Sequence, residues 1–408
     1  MKIILLSAYT LMFMVVTSVQ AESGGDSWDL VSKGRYIAQL GDCTACHTQP
    51  GKPLFSGGVT IDTPFGRLVG ANITPDPETG IGKWTFADFE NAMHKGHDRE
   101  GNLLYGAMPF TAYTKVTSED NRALWAYLQS VQPINRVVET NQLPFPFNLR
   151  TSLHLWNSIN FNEGVYKPDP KQSAEWNRGA YLVQGLGHCG TCHTPKNVLG
   201  GDKANHDLRG NLLGSWYAPD ITNNVHTGIG AWSQKDLVEY LKTGTNRYDI
   251  ASGPMAEAIE NSTQYWKDQD LIATAIYLKS LAGANKKEKP APLSSNDRQM
   301  INGKAIYADR CSGCHVSQGE GIPHLFPQLA NTPLVNGDPT SLIHVVVAGS
   351  RAGGTTAAPT RPAMPALGWN LTNQNVADVL TFIRNSWNNS APAVNASQVR
   401  EVREKLRE

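Results

Sequence analysis

The 408-residue sequence has no excess of charge of either sign. Its 36 Lys and Arg residues are matched by 36 Asp and Glu residues, and no segment forms a basic stripe. Proteins that bind nucleic acids usually concentrate Lys and Arg on one face, because the phosphate backbone is anionic. The charge balance therefore predicts no nucleic-acid partner.

Long apolar runs are also lacking beyond the N-terminus. Residues 3–16 are apolar and follow Lys2, and residues 19–21 resemble a signal-peptidase site. We predict that residues 1–21 are a cleaved signal peptide that exports the chain to the periplasm, so that the mature protein starts near Glu22. The alternative is a retained membrane anchor, which needs roughly 20 apolar residues where this stretch offers about 15.

Cysteine is scarce, and none is left over for a disulfide framework. All six cysteines belong to C-x-x-C-H groups, at residues 43–47, 189–193 and 311–315. In such a group, two thiols on one helical turn add to the two vinyl groups of a haem, and the adjacent histidine faces the iron. A single copy would also suit a zinc site or a dithiol redox pair, but three copies predict three covalently bound haems c. The predicted attachment residues are Cys43, Cys46, Cys189, Cys192, Cys311 and Cys314, and the predicted proximal ligands are His47, His193 and His315.

The three groups recur at the spacing of domains. The proximal histidines are 146 and 122 residues apart, and each group follows a helical pattern that contains a glycine. Each module then closes on an amphipathic helix that carries an aromatic residue, and we expect this helix to cross the glycine closely. The residues concerned are Gly34, Gly179 and Gly303 on the first helices and Tyr127, Tyr277 and Phe382 on the last.

These repeats predict an all-α fold of three tandem class I cytochrome c domains, each wrapped around one covalent haem. Prolines and aromatic residues in the first connector indicate that it packs against the domains, whereas the second connector is charged and solvated. The predicted boundaries are 22–130, 176–282 and 299–388 for the domains, 131–175 for the packed connector, 283–298 for the linker and 389–408 for a polar C-terminal tail.

Methionine is as sparse as cysteine once the signal peptide is set aside. Three of the five remaining methionines touch a proline: Met108, Met255 and Met364 lie 61, 62 and 49 residues beyond the three proximal histidines. Proline fixes the backbone of a segment that must direct a sulfur at iron, so we predict that these three are the sixth ligands. Met93 and Met300 are predicted to be packing residues.

Three segments carry a family resemblance: residues 143–150, 192–197 and 326–331. With the three modules, they make residues 32–387 resemble the tri-haem cytochrome c subunit of membrane-associated bacterial dehydrogenases for alcohol, gluconate, sorbitol or fructose. The resemblance implies a catalytic partner subunit of flavin, quinoprotein or molybdenum type. It also implies that electrons leave the haems for ubiquinone or for a downstream cytochrome or oxidase, at the periplasmic face of the inner membrane with peripheral attachment.

We therefore predict an electron-transfer subunit with no catalytic site of its own. A haem peroxidase needs an iron that is open to substrate, and a methionine in every module argues against that reading. Two further possibilities are the cytochrome subunit of a molybdenum hydroxylase and a free periplasmic electron shuttle.

Overall fold

The computed structural model describes residues 24–139, 141–283 and 289–407 of the chain. The predicted signal peptide, residues 1–21, lies outside these residues. The described chain forms three successive helical units, and each unit carries one C-x-x-C-H group just after its first helix. None of the helices in the described part of the chain is long and apolar enough to cross a membrane.

The first unit opens and closes with helices that pack against each other. Thr85 and Asp88 form a capping box at the start of a third helix, which ends at Gly96 in the left-handed conformation. The elements are α1 (Gly24–Leu40), α2 (Cys43–His47), β1 (Thr60–Thr63), β2 (Gly66–Val69), α3 (Phe86–Lys95), α4 (Phe110–Tyr113) and α5 (Ser118–Ser130).

The connector to the second unit contains one helix, α6 (Ser152–Asn160). Its Trp156 packs edge-on against Phe110 of the first unit, and the Trp156 indole N–H donates to the Leu199 carbonyl of the second unit at 2.8 Å. Gln142 exchanges two backbone hydrogen bonds with Arg67 on β2. The connector is therefore packed against both units that it joins.

The second unit repeats the order of elements of the first. The capping box recurs with Ser233 and Asp236, and the helix that it starts again ends at a left-handed glycine, Gly244. The elements are α7 (Ala174–Tyr181), a π-helical turn (Leu182–Leu186), α8 (Gly190–His193), β3 (Arg209–Leu213), β4 (Trp216–Asp220), α9 (Gln234–Thr243), α10 (Gly253–Asn261) and α11 (Asp268–Ser280), with single 3₁₀ turns at Ile229–Ala231 and Thr263–Tyr265.

The third unit also opens with a helix and a C-x-x-C-H group, but its hairpin follows two further helices, and the unit continues to the last described helix. The segment that the sequence analysis assigns to a polar tail contributes Val394, Val399 and Val402, all buried, to the core of this unit. The elements are α12 (Arg298–Arg310), α13 (Ser312–His315), α14 (Pro333–Asn336), α15 (Thr340–Ala348), β5 (Ser350–Arg351), β6 (Ala363–Met364), α16 (Asn373–Arg384) and α17 (Ala396–Lys405).

The predicted close crossing of first and last helices is confirmed in all three units. A Cβ atom on Gly34, Gly179 or Gly303 would overlap a main-chain carbonyl oxygen of the last helix, on Ala123, Ala273 and Asp378 respectively. The same Cβ would also press on the Cβ atoms of Tyr127, Tyr277 and Phe382. Glycine is required at each crossing because any side chain would separate the two helices.

The fold is largely helical, but it is not purely α. Three antiparallel two-stranded hairpins, β1–β2, β3–β4 and β5–β6, lie between the helices. Strands of two to five residues give too little alternation for a sequence pattern to detect. The first two hairpins matter because they position backbone groups of the sites described below.

Candidate functional site

The three predicted proximal histidines share one backbone contact. The Nδ1 atom of His47 lies 2.7 Å from the carbonyl oxygen of Ala71, and that of His193 lies 2.7 Å from the carbonyl oxygen of Pro219. The Nδ1 atom of His315 lies 3.0 Å from the carbonyl oxygen of Pro327.

This contact decides which ring nitrogen is available to a metal. A carbonyl oxygen only accepts hydrogen bonds, so Nδ1 must carry the proton and donate it. The Nε2 atom is then unprotonated, as an iron ligand has to be, and the ring orientation is fixed. Burial lowers the pKa of His47, His193 and His315, which keeps the imidazoles neutral at pH 7. The geometry is that of three metal-ligating histidines.

The six cysteines are unpaired in the structure, and five of them have raised pKa values. Burial, the Asp42 carboxyl group and Cys192 raise the pKa of Cys46 to about 11, and burial is the main cause of a pKa of about 12 at both Cys43 and Cys189. Thiols of redox-active C-x-x-C pairs have lowered pKa values instead. The environment therefore disfavours a dithiol redox pair and fits thiols that are converted to thioethers.

One cavity joins the sites of the second and third units. Its volume is about 420 Å³, and it is lined by residues of both C-x-x-C-H groups together with both predicted methionine ligands. The site residues on its wall are Cys189, Cys192, His193, Met255, Cys311, Cys314, His315 and Met364. The structure therefore brings these two predicted ligand sets together at one apolar cavity.

The predicted methionine ligands differ in their local structure. Met108 lies in a turn before Pro109 and packs, with Cys43, against a buried cluster that spans the first and second units. Met364 lies on β6, but Met255 lies in the first turn of α10, where Pro254 is an early helical residue. Proline thus fixes a helix start at Met255, not a loop.

The methionines that are not predicted as ligands lie elsewhere. Met93 and Met300 are 5% and 6% exposed and belong to helices α3 and α12. Neither lies on the wall of the shared cavity. Their burial in these helices is what is expected of packing residues.

Two buried hydrogen-bond donors on the cavity wall have no partner among the described residues. They are the indole Nε1 of Trp232 and the hydroxyl of Thr274. An unpartnered buried donor is costly, and a ligand with anionic groups would satisfy it. A haem carries two propionates, so these atoms fit the predicted cofactor.

Sequence reasoning missed the carbonyl groups of Ala71, Pro219 and Pro327 and the indole of Trp232. A signal existed for Trp232, because the pattern Thr-Gly-Ile-Gly-x-Trp occurs twice, at residues 79–84 and 227–232. No side-chain pattern marks a carbonyl, although Pro327 lies within one of the segments of family resemblance.

Comparison with known proteins identifies similar chains over nearly the whole length. A family model described as cytochrome c matches residues 176–282 and 300–387, within the second and third units. The gluconate 2-dehydrogenase cytochrome c subunit of Pantoea cypripedii is 38% identical over 97% of this chain and 93% of its own length. The cytochrome c subunit of the quinone alcohol dehydrogenase of Gluconobacter oxydans is 36% identical over 92% of this chain and 82% of its own.

A longer relative contains a similar region. A subunit of the nicotinate dehydrogenase of Pseudomonas putida is 39% identical over 93% of this chain, which corresponds to 32% of that protein. Sequences similar to this chain therefore occur both as separate cytochrome subunits and inside a larger polypeptide.

Proposed function

Because this chain belongs to the family of cytochrome c subunits of bacterial dehydrogenases, we propose that it holds three haems c and conducts electrons from a catalytic dehydrogenase subunit. In this proposal each unit is a cytochrome c domain with its own haem. The axial ligand pairs are His47 with Met108, His193 with Met255, and His315 with Met364.

The observation that carries the proposal is the repeated histidine geometry. In every unit the histidine of the C-x-x-C-H group donates from Nδ1 to a backbone carbonyl and leaves Nε2 for a metal. A dithiol pair would not need this arrangement, and a structural zinc site would need further ligands. A haem supplies the one-electron redox change when it is bound.

The residues of the chain then set the properties of each site. The carbonyl that accepts from Nδ1 orients the imidazole and makes Nε2 a better electron donor. A thioether sulfur favours reduced iron and raises the potential. Occupation of both axial positions leaves no iron open to substrate, which favours electron transfer over peroxidase chemistry.

The arrangement of the sites supports a linear path through the second unit. The second and third sites share one cavity wall, and Cys192 of the second site is close enough to Cys46 of the first to raise its pKa. We propose that electrons move between the first and third haems through the second. The direction of flow depends on which end faces the catalytic subunit.

The number of haems is tested by the mass of the mature protein, expressed with the haem-attachment machinery. We expect three haem additions on a chain that starts near Glu22. Carbon monoxide should bind slowly and incompletely to the reduced protein, because every iron has two protein ligands. Two haem additions, or rapid stoichiometric carbon monoxide binding to one haem, would contradict the proposal.

The partner is tested by isolating the native complex from membranes through a tag on this chain. We propose a periplasmic complex with a flavin, quinoprotein or molybdenum subunit that oxidises an alcohol, sugar or sugar acid and passes electrons on to ubiquinone or a downstream cytochrome. The relevant substrate should reduce all three haems in the purified complex. A haem protein that purifies without a catalytic subunit, and that no such substrate reduces, would indicate a free shuttle.

A further inference from the structure

Asp42 lies at the junction of the first and second sites. It is the residue directly before Cys43, between α1 and α2, and it adopts the left-handed conformation with φ 49°. Its side chain also lines the cavity that contains Cys192 and His193 of the second unit. A single carboxyl group therefore borders the haem attachment points of both units.

Among the described residues, no basic group offsets the charge of this carboxyl group. Its Oδ1 atom is buried and has no hydrogen-bond partner within the described parts of the chain. Burial, and then the charge of Glu257 on α10, raise the pKa of Asp42 to about 8. The residue as a whole is only partly buried.

Asp249 lies on the wall of the same cavity, and burial raises its pKa to about 7, so it is a second carboxyl group that can titrate near neutral pH. The remaining groups near Asp42 do not compete with it there. Burial raises the pKa of Tyr113, whose hydroxyl donates to the Gly41 carbonyl at 2.7 Å, well above its usual value, and it lowers the pKa of His188 on the same cavity wall. The nearby thiols, of Cys43, Cys46 and Cys192, are consumed when haem is attached. Glu257 is exposed.

We propose that Asp42 is a positioning residue that couples a proton to the electron held at the first and second haems. The proposal rests on the haem assignment made above. When either ferric haem accepts an electron, the site loses a positive charge, and Asp42 takes up a proton from solvent. Oxidation of the haem releases the electron to the next carrier and the proton to solvent, so charge balances in both directions.

The direction in which the haem potentials change with pH follows from electrostatics. A ferric haem favours the charged carboxylate and a ferrous haem favours the neutral acid. The midpoint potentials of the first and second haems should therefore fall as pH rises from 7 to 9, the interval around the pKa of Asp42. The third haem borders the same cavity as Asp249, so only the first haem, whose predicted ligands lie outside that cavity, reports Asp42 alone.

The test uses the purified holoprotein with all three haems, titrated spectroelectrochemically between pH 6 and pH 9. Asp42→Asn has nearly the same shape and tolerates the left-handed conformation, but it cannot exchange a proton. We expect the pH slope of the first potential to disappear in this variant and that of the second to decrease, because Asp249 also lines the second site. Asp309→Asn is the matched control, because Asp309 lies two residues before Cys311 with a side chain that is 68% exposed, and it should leave all slopes unchanged.

A second variant separates titration from a structural effect. Glu257→Gln removes the neighbouring negative charge, so the pH transition should persist and move to lower pH. Potentials that do not depend on pH in the unmodified protein, or an unchanged slope in Asp42→Asn, would overturn the role of Asp42. Because haem content and visible spectra are recorded on the same samples, loss of a haem would count against the proposed function and not against this inference.

Discussion

At the scale of single residues, backbone carbonyl groups as well as side chains determine the geometry of the candidate iron sites. Each proximal histidine is oriented by a carbonyl group, of Ala71, Pro219 or Pro327. No substitution removes a carbonyl, so the orientation of the ring is preserved as long as the local fold is preserved. The side chains that remain sensitive to substitution are the sulfur ligands.

Replacement of Met364 by Ala should lower the potential of one haem. The thioether stabilises reduced iron, and axial ligands set haem potentials over a range of about 0.8 V, so we expect a decrease on the order of 0.1 V or more. A redox titration followed in the visible spectrum measures it. The midpoint potentials of the other two haems should not change.

The control for this change is Met300→Ala in the same unit. Met300 is 6% exposed and belongs to the core, so its loss should cost about 2–5 kcal/mol of unfolding free energy without changing any potential. If Met364→Ala also left all three potentials unchanged, Met364 would not be an iron ligand.

The indole of Trp232 gives a second prediction at this scale. Its buried Nε1 has no partner among the described residues, and we expect it to donate to a haem propionate. Trp232→Phe removes the donor and leaves the propionate charge less compensated, which should lower the potential of the second haem only. Trp176→Phe is the control, because the Trp176 indole already donates to the Ser280 hydroxyl at 2.6 Å. An unchanged potential in Trp232→Phe would show that the indole does not contact the haem.

At the scale of secondary-structure elements, each unit depends on one close helix crossing. Gly303 on α12 meets α16 with no room for a Cβ atom, whereas Gly313 on α13 has no atom within 4 Å of its ideal Cβ position. The two glycines belong to the same unit and differ in what surrounds them. They form a matched pair for testing the crossing.

We expect Gly303→Ala to lower the unfolding free energy of the third unit by about 1–3 kcal/mol, because the helices must separate. Alanine is otherwise a better helix former than glycine by about 1 kcal/mol, so a decrease in the unfolding free energy can only come from packing. Denaturant unfolding followed by the haem absorbance measures the change. Gly313→Ala should stay within about 0.5 kcal/mol of the unmodified protein, and equal effects of the two changes would contradict a tight crossing.

Some of these elements could be predicted from the sequence, and others could not. The first and last helices and their glycines were predictable, because a 3.6-residue period and a repeated glycine leave a clear pattern. The hairpins were not, since strands such as Gly66–Val69 are too short for alternation. Helix α17 was assigned to a polar tail because its two buried valines, Val399 and Val402, are a small fraction of a charged segment. The carbonyl groups that orient the first two histidines lie on or just after a hairpin strand and were missed with the hairpins.

At the scale of the whole molecule, the first two units are not independent. Leu40 and Leu128 of the first unit belong to the same buried cluster as Leu186 and Trp266 of the second. The second and third units meet through closely packed Trp216 and His344 rings, with centroids 3.8 Å apart. Shared packing holds the candidate sites at fixed separations, which electron transfer along a defined path requires.

A buried ion pair within the second unit accepts a hydrogen bond from the first unit and gives this interface a pH dependence. Asp270 on α11 accepts hydrogen bonds from Arg178 at 2.8 Å and from the Tyr36 hydroxyl of the first unit at 2.6 Å. Burial alone would raise the pKa of Asp270, but these hydrogen bonds and the Arg178 charge lower it below the usual range. The stabilisation is therefore complete above the unfolded pKa of about 3.9 and is lost as pH falls through the lower folded pKa.

Asp270→Asn should lower the unfolding free energy by about 1–3 kcal/mol at pH 7, since it leaves Arg178 without its partner while solvent partly screens that charge. The difference from the unmodified protein should shrink as pH is lowered below about 4, because protonation then removes the same carboxylate charge. Thermal unfolding across this pH range measures both effects. Asp62→Asn is the control: Asp62 and Arg67 pair at 2.9 Å with side chains 75% and 48% exposed, so no measurable change in stability is expected at any pH. A difference at Asp270 that is independent of pH would mean that packing, and not the carboxylate charge, joins the first two units there.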